Sequence, residues 1–374
     1  MKAKHVILYF LVSIIISSCI RDEALNAEAD ILSCTLPKAV MTTSPIINNN
    51  SVTLFVGPET DVSALAPEFT LTPGATISPA SGSVQNFTTP VRYTVTSEDK
   101  AWHRVYAITA REQKASNIPT TYHFEKVRIM QNVWQEFYEE QDSGNELTWA
   151  SGNKGFKWAM SEAATEDYPT TQIDNGKTGK CVKLETRLTG DLGNMVGMPI
   201  AAGNLFIGSF DMLNAITNPL SATRFGTPFY NKPLRLTGYY KYKAGEQFYE
   251  NGEYTSRKDI FNIYAIFYDG VKYDSAGKRT DVTLDGNLPN QNYEHPNMVA
   301  LALVSNPQET EGDEWKFFDI PFDYQRYGKK IDEARLAKGE YKIGIIFASS
   351  KDGATFEGAP GSTLLIDEVE LIYE

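Results

Sequence analysis

Basic charge, cysteine, histidine and long apolar runs are all scarce in this 374-residue chain, and each scarcity closes off a class of function. Lys and Arg number 35 against 47 Asp and Glu, a formal charge of −12. No basic stripe is left to neutralise a phosphate backbone, so nucleic-acid binding is set aside. Three cysteines, Cys19, Cys34 and Cys181, are too few for a disulfide framework. Cys34 and Cys181 fall in separate expected domains; a bridge between them stays open, and two buried thiols are favoured. The histidines His5, His103, His123 and His295 form no His-Glu-x-x-His zinc motif. Gly-x-Ser-x-Gly elbows, phosphate loops and Cys-x-x-Cys pairs are missing as well. The one long apolar run, from Val6 to Ile16, would extend about 16 Å as a helix, short of the roughly 30 Å a membrane core requires.

That run has another use. Lys2 and Lys4 precede it and Ser17, Ser18 and Cys19 follow it, the pattern of a secretory signal. Ile16-Ser17-Ser18-Cys19 resembles a bacterial lipobox, with Ile16 where leucine is commoner, which implies lipidation of Cys19. Asp22 and Glu23 resemble the surface-export signals of Bacteroidetes lipoproteins. The expectation is a signal peptide over 1–19, a polar tether over 20–29, and an outer-membrane lipoprotein exposed at the cell surface.

Beyond the tether, residues 30–112 alternate apolar and polar positions between turn residues. Val52–Val56, Phe69–Leu71, Val91–Val95 and His103–Thr109 read as strands of an immunoglobulin-like sandwich. The stretch Leu65 to Ala110 resembles the small N-terminal modules of secreted Bacteroidetes proteins, which implies a spacer. A polar linker over 113–119 ends at Pro119. Of 44 aromatic residues, 36 fall after it. Hairpin dipeptides recur there at Asn175-Gly176, Asn251-Gly252, Asp269-Gly270, Asp285-Gly286 and Asp352-Gly353, and only Lys330 to Lys338 reads as a helix. Residues 120–374 are therefore expected to form a second, larger β domain, and the whole chain to be all-β.

Individual strands show their faces. In Leu234 to Tyr242, the residues Leu234, Leu236, Gly238, Tyr240 and Tyr242 oppose Arg235, Thr237, Tyr239 and Lys241. In Phe261 to Asp269, a core face of Phe261, Ile263, Ala265 and Phe267 opposes Asn262, Tyr264, Ile266 and Tyr268. Ile343 to Ala348 is apolar on both faces and is placed centrally. Strict alternation sets Asp367 on the face of Leu365, Val369 and Leu371, and Glu125 on that of Val127 and Ile129. A carboxylate on an apolar face needs a cation, donors or a raised pKa.

Tyr122-His123-Phe124-Glu125, Leu236-Thr237-Gly238-Tyr239-Tyr240-Lys241-Tyr242, Trp315-Lys316-Phe317-Phe318-Asp319-Ile320-Pro321-Phe322 and Leu364-Leu365-Ile366-Asp367-Glu368-Val369 carry a resemblance. With Ala201 to Gly208 and Ala348 to Gly353, they make the region from Thr120 onward similar to the putative carbohydrate metabolism domain of Bacteroidetes surface lipoproteins. The resemblance implies a jelly-roll sandwich akin to carbohydrate-binding modules and transfers no catalytic residues.

Candidate sites follow. Sugars need flat aromatic faces with a few planar donors and acceptors. Trp149 and Trp158, in a segment read as a loop, and the sheet residues Arg235, Tyr239, Lys241, Asn262, Tyr264 and Tyr268 are the ligand-binding candidates. Glu125 and Asp367 are candidates for a structural calcium ion, which takes six to eight oxygen ligands; no cofactor is otherwise required. The expected partners are a carbohydrate, the outer membrane through the anchor, and cell-surface proteins. Binding is favoured over catalysis. The alternative is a glycoside hydrolase using a carboxylate pair, for which Asp211, Asp269, Asp274 and Glu357 are the acids to inspect. A structural or adhesive surface component is the second alternative.

Overall fold

The computed structural model describes residues 25–37, 40–57, 60–112, 118–140 and 146–374. Cys19 and the expected signal peptide lie outside the described residues. The chain divides into two compact units between Glu112 and Gln113. Among the described residues, no helix is long and apolar enough to cross a membrane.

The first unit is built on a five-stranded sheet, in the order Met41–Asn48, Ser51–Val56, His103–Glu112, Val91–Thr96 and Thr76–Ser78. Ser51–Val56 runs parallel to His103–Glu112 and the other pairs are antiparallel. Ile31–Thr35 and Glu68–Leu71 form a separate two-stranded ribbon. The alternating residues Val52, Leu54, Tyr93, Val95, Tyr106 and Ile108 close one core, in which Cys34 is also buried. Burial pushes the Cys34 thiol up to about 12, so it stays protonated and unreactive. The segment read as a tether is not wholly free: the Asn26 amide donates to Glu98 at 2.9 Å and Ala29 is buried.

Two antiparallel sheets make up most of the second unit. One is ordered Thr170–Asp174, Lys180–Glu185, Thr363–Tyr373, Pro233–Lys243 and Lys316–Pro321, with Thr121–Tyr122 alongside Thr363–Tyr373. The other is ordered Asn204–Phe206, Tyr341–Ala348, Asn262–Asp269 and Met298–Leu303, with Thr227–Phe229 on Tyr341–Ala348. Their facing residues share a single core, in which Leu236, Tyr240 and Ile366 meet Ile263, Phe267 and Ile345. Each large apolar side chain buried there contributes roughly 1.5–3 kcal/mol. The architecture is all-β, with sandwich-like pairing of sheets and short helices confined to the connections.

Three expectations change here. Strict alternation fails in Thr363–Tyr373, because a bulge at Glu368, φ 48°, shifts the register against Pro233–Lys243. Leu364 and Ile366 face the core before the bulge, and Val369 and Leu371 after it. Asp367 is thereby turned away from Val369 and Leu371. Glu125 is exposed and precedes the strand Val127–Met130, with Phe124 at φ 56° just before it. The segment from Trp149 to Trp158 is not a loop throughout: Asn153–Ala159 is a helix. Asn153 anchors it by donating to the Thr170 carbonyl at 2.7 Å and accepting from the Thr170 amide at 3.1 Å.

Candidate functional site

The second sheet is buried on both faces, and this decides which candidates a ligand can reach. Behind it, Phe225, Leu284, Leu288 and Tyr293 form a second apolar layer over Phe206, Tyr264, Ile266, Tyr268 and Met298. Tyr268 donates to the Phe225 carbonyl at 2.7 Å, and Asn262 donates to the Tyr293 hydroxyl at 2.8 Å. Asn262, Tyr264 and Tyr268 are therefore interior residues and not a sugar platform. Trp149 is likewise in the core, packed edge-on against Tyr122 at 5.2 Å.

The first sheet does present an outer face. Arg235 pairs with Asp319 through two nitrogens, at 2.7 and 2.6 Å, and Lys241 pairs with Asp313 while covering the Trp315 ring at 4.9 Å. Tyr239 lies 5.2 Å from the half-exposed Phe317 ring, and the Lys177 ammonium sits over the Tyr239 ring at 4.8 Å. Arg235, Tyr239 and Lys241 are brought together, but their charged ends are already engaged.

Asp367 and Glu125 converge on residues 175–180. Asp367 accepts from the Thr178 amide at 3.0 Å and the Glu368 amide at 2.8 Å, and Glu125 accepts from the Lys180 amide at 2.8 Å. Burial raises the Asp367 carboxyl to about 6 despite these donors. Its neighbour across the sheet, Cys181, is raised to about 12 by burial first and the Asp367 charge second. A Cβ on Gly176 would collide with the Lys180 carbonyl oxygen and the Asp367 carboxylate, and one on Gly179 with the Glu125 carboxylate. The two glycines thus leave space for a cradle of oxygens, the donor set that a hard cation such as calcium prefers. No group of three His, Cys, Asp or Glu side chains is gathered for a metal among the described residues. The remaining ligands would have to be carbonyls and water.

A cleft lies where the loops between strands gather. Helix Asn153–Ala159, helix Gly190–Met195, helix Met212–Thr217 and the turn Gly353–Thr355 surround a cavity of about 130 Å³. Trp158, Phe210, Met212, Met198 and Phe356 are among its walls. Trp158 is 38% exposed there. Next to the cleft, and sharing Phe356 with it, is a polar shelf bounded by Asn194, Tyr249, Asn251 and Glu357. Phe356 itself is held at φ 60°, a strained conformation of the kind that clusters at functional sites.

The four acids separate by their partners. Asp269 is locked to Arg335 at 2.7 and 2.6 Å, and Asp274 closes a turn by accepting from Ala276 and Lys278. Asp211 caps helix Met212–Thr217, accepting from Leu213 at 3.0 Å and from the Asn214 side chain at 3.0 Å. These bonds commit all three to the fold. Glu357 alone of the four is half-exposed on a ligand-sized recess with no hydrogen bond to its carboxylate among the described residues.

Sequence reasoning missed the support beneath Glu357. Buried Asp259 accepts from Ser350 at 2.5 Å, Ser362 at 2.7 Å, the Ala359 amide at 2.8 Å and the Ile260 amide at 2.9 Å. Thr186 joins the group through Ser349 at 2.8 Å and Ser350 at 2.5 Å. Both ends of the segment carrying Phe356 and Glu357 are thus tied to one carboxylate. Tyr249 and Gly358 exchange backbone hydrogen bonds, fastening the hairpin Phe248–Thr255 to the same segment. Arg257, over the Phe248 ring at 4.2 Å, pairs with both Glu250 and Asp352. The dense Ser, Gly and Asp content of 349–362 is the only sequence signal for this arrangement.

Comparisons with known proteins agree with a carbohydrate-related role. Residues 31–110 match the family model described as "SGBP, N-terminal". A solved structure from Bacteroides thetaiotaomicron, described as a putative glycoside hydrolase, shares 50% identity with a TM-score of 0.63, covering 95% of this chain and 99% of its own. A second, from Bacteroides vulgatus and described in the same words, shares 50% identity with a TM-score of 0.63, covering 68% of this chain and 98% of its own. No curated protein matches. Relatives this similar, both described as a "putative glycoside hydrolase", overturn the expectation that favoured binding over catalysis. Residues 123–372, two thirds of the chain, match the model described as "Putative carbohydrate metabolism domain", and the chain belongs to that family.

Proposed function

We propose that this chain is a lipid-anchored, surface-exposed glycoside hydrolase. Cys19 carries the anchor, the first unit is an immunoglobulin-like spacer, and the second is a jelly roll that takes a glycan on the shelf beside Phe356. The observation that carries the reading is Glu357, a carboxylate uncommitted to the fold, on the wall of that shelf, in a chain 50% identical to proteins named for glycoside hydrolysis. Such hydrolysis needs two carboxyl groups, one giving a proton to the leaving oxygen. Glu357 takes the proton-transfer role. Asp352, five positions before it in the chain and paired with Arg257, is the second carboxylate of this reading. Tyr249 offers an aromatic face, and Asn194 and Asn251 offer amides for sugar hydroxyls. The test is release of reducing ends by the mature protein from a panel of plant, host and microbial glycans. Release from at least one is expected; none across the panel overturns the reading.

Calcium belongs to the same proposal. Glu125 and Asp367 would hold the ion against residues 175–180, tying the start and the end of the second unit to one loop. A ligand present at a hundred times its Kd stabilises by about 2.7 kcal/mol. For a domain of this size, that is expected to raise Tm by roughly 5–10 °C. Calorimetry with and without calcium checks this. An unchanged Tm, or an equal rise in Asp367→Asn, removes the ion from the account.

A further inference from the structure

The cleft beside the shelf is unlike a site for a bare sugar. Not one of its lining side chains is charged. Two of its polar side chains are spent on the protein: Asn204 accepts from the Gly152 amide at 2.8 Å, and Thr189 donates to the Met198 carbonyl. A pyranose bears hydroxyls all round its rim, and hydroxyls buried without partners are costly. Rings and thioethers from Trp158, Phe210, Phe356, Met198 and Met212 supply flat and polarisable surface instead. The apolar character continues outward. Leu192, Met195 and Val196, on or just after helix Gly190–Met195, and Leu213, on helix Met212–Thr217, are exposed, Met195 at 82% and Leu213 at 84%. Yet Asn194, on the same short helix, and Phe356 both also bound the polar shelf. An apolar compartment and a polar one therefore adjoin across a single strained residue.

We propose that the two compartments take one amphiphilic ligand, a glycan bearing an aromatic substituent, with the ring in the cleft and the sugar on the shelf. The substrate class is an aryl glycoside or an aryl-decorated oligosaccharide. This assignment rests on the hydrolase reading for what happens at Glu357, and on the cleft alone for the aromatic preference. Phe356 marks the junction, so the bond joining sugar to ring, or a bond next to it, lies against the segment that carries Glu357.

The experiment uses the full mature chain and N-phenyl-1-naphthylamine, a neutral aromatic fluorophore, as the probe. One saturable site is expected. Phenyl β-D-glucopyranoside and phenyl β-D-galactopyranoside are expected to displace the probe at least tenfold more effectively than the matched methyl glycosides. Two variants close the cleft in different ways: Ala354→Trp fills it and Met212→Asp places a charge in its wall. Each is expected to weaken probe binding at least tenfold while Tm shows that it is folded. Absence of saturable binding, equal displacement by phenyl and methyl glycosides, or undiminished binding in both folded variants overturns the proposal. Glu357→Gln keeps the two readings apart. It is expected to bind the probe as the unaltered chain does, so a chain that binds the probe but cleaves no glycan fails the hydrolase reading and not the aromatic cleft.

Discussion

Glu357→Gln is expected to lower the rate of glycan hydrolysis by about 10²–10⁴-fold, the usual contribution of a positioned general acid or base. The amide keeps the size and shape of the side chain and removes only its capacity to give and take a proton. The Glu357 carboxylate makes no side-chain hydrogen bond among the described residues, so the substitution leaves no donor stranded and stability is expected to change little. The loss should therefore fall on kcat, with KM nearly preserved. Asp211→Ala provides the contrast. The Asp211 carboxylate caps helix Met212–Thr217, and removing that cap is expected to cost about 1 kcal/mol of stability with activity retained. Steady-state kinetics and thermal melts of the two variants decide between these outcomes. Equal activity in Glu357→Gln and the unaltered protein would remove Glu357 from the chemistry.

Asp259→Ala is expected to cost about 3–5 kcal/mol of stability, because a buried donor left without its acceptor costs roughly 1–3 kcal/mol and several are stranded together. The Ser350 and Ser362 hydroxyls and the Ala359 amide would be left buried without their acceptor. Asp259→Asn preserves the shape and is expected to cost less, since hydroxyl groups can turn to accept from the new amide. Activity should fall in both variants, because the segment held by these bonds carries Phe356 and Glu357.

The same residue gives a pH dependence. Burial pushes the Asp259 carboxyl above its ordinary value, and the backbone and hydroxyl donors pull it only part of the way back. The folded protein therefore holds this proton more tightly than the unfolded chain does. The group's contribution is fully present below its unfolded pKa and is lost as pH rises through the folded one. Chemical denaturation of the unaltered protein and Asp259→Asn is expected to show their stability difference shifting against the unaltered protein as pH rises from about 4 towards neutrality. A difference independent of pH would show that the donors fully offset the burial.

Some of the site was legible in the residues. The opposition of Leu236, Tyr240 and Tyr242 to Arg235, Tyr239 and Lys241 follows from the two-residue period of a strand, and the core contains the first set as that period requires. Glu125 and Asp367 were identifiable as residues in need of partners, and they meet at one loop. Glu357 was nameable among four acids, but nothing local separated it from Asp269, whose partner Arg335 is 66 residues away.

Alternating polarity and turn residues are local properties, and by themselves they determined an all-β chain and, in strands such as Pro233–Lys243, which face is buried. Tertiary structure decided the rest, because burial and partnership depend on segments distant in sequence. Tyr264 and Tyr268 are covered by residues that arrive from elsewhere in the chain, so a face that reads as a sugar platform becomes interior. One bulge at Glu368 re-aims Asp367. The apolar cleft exists only because three short helices and one turn, separated by up to two hundred residues, close on the same space.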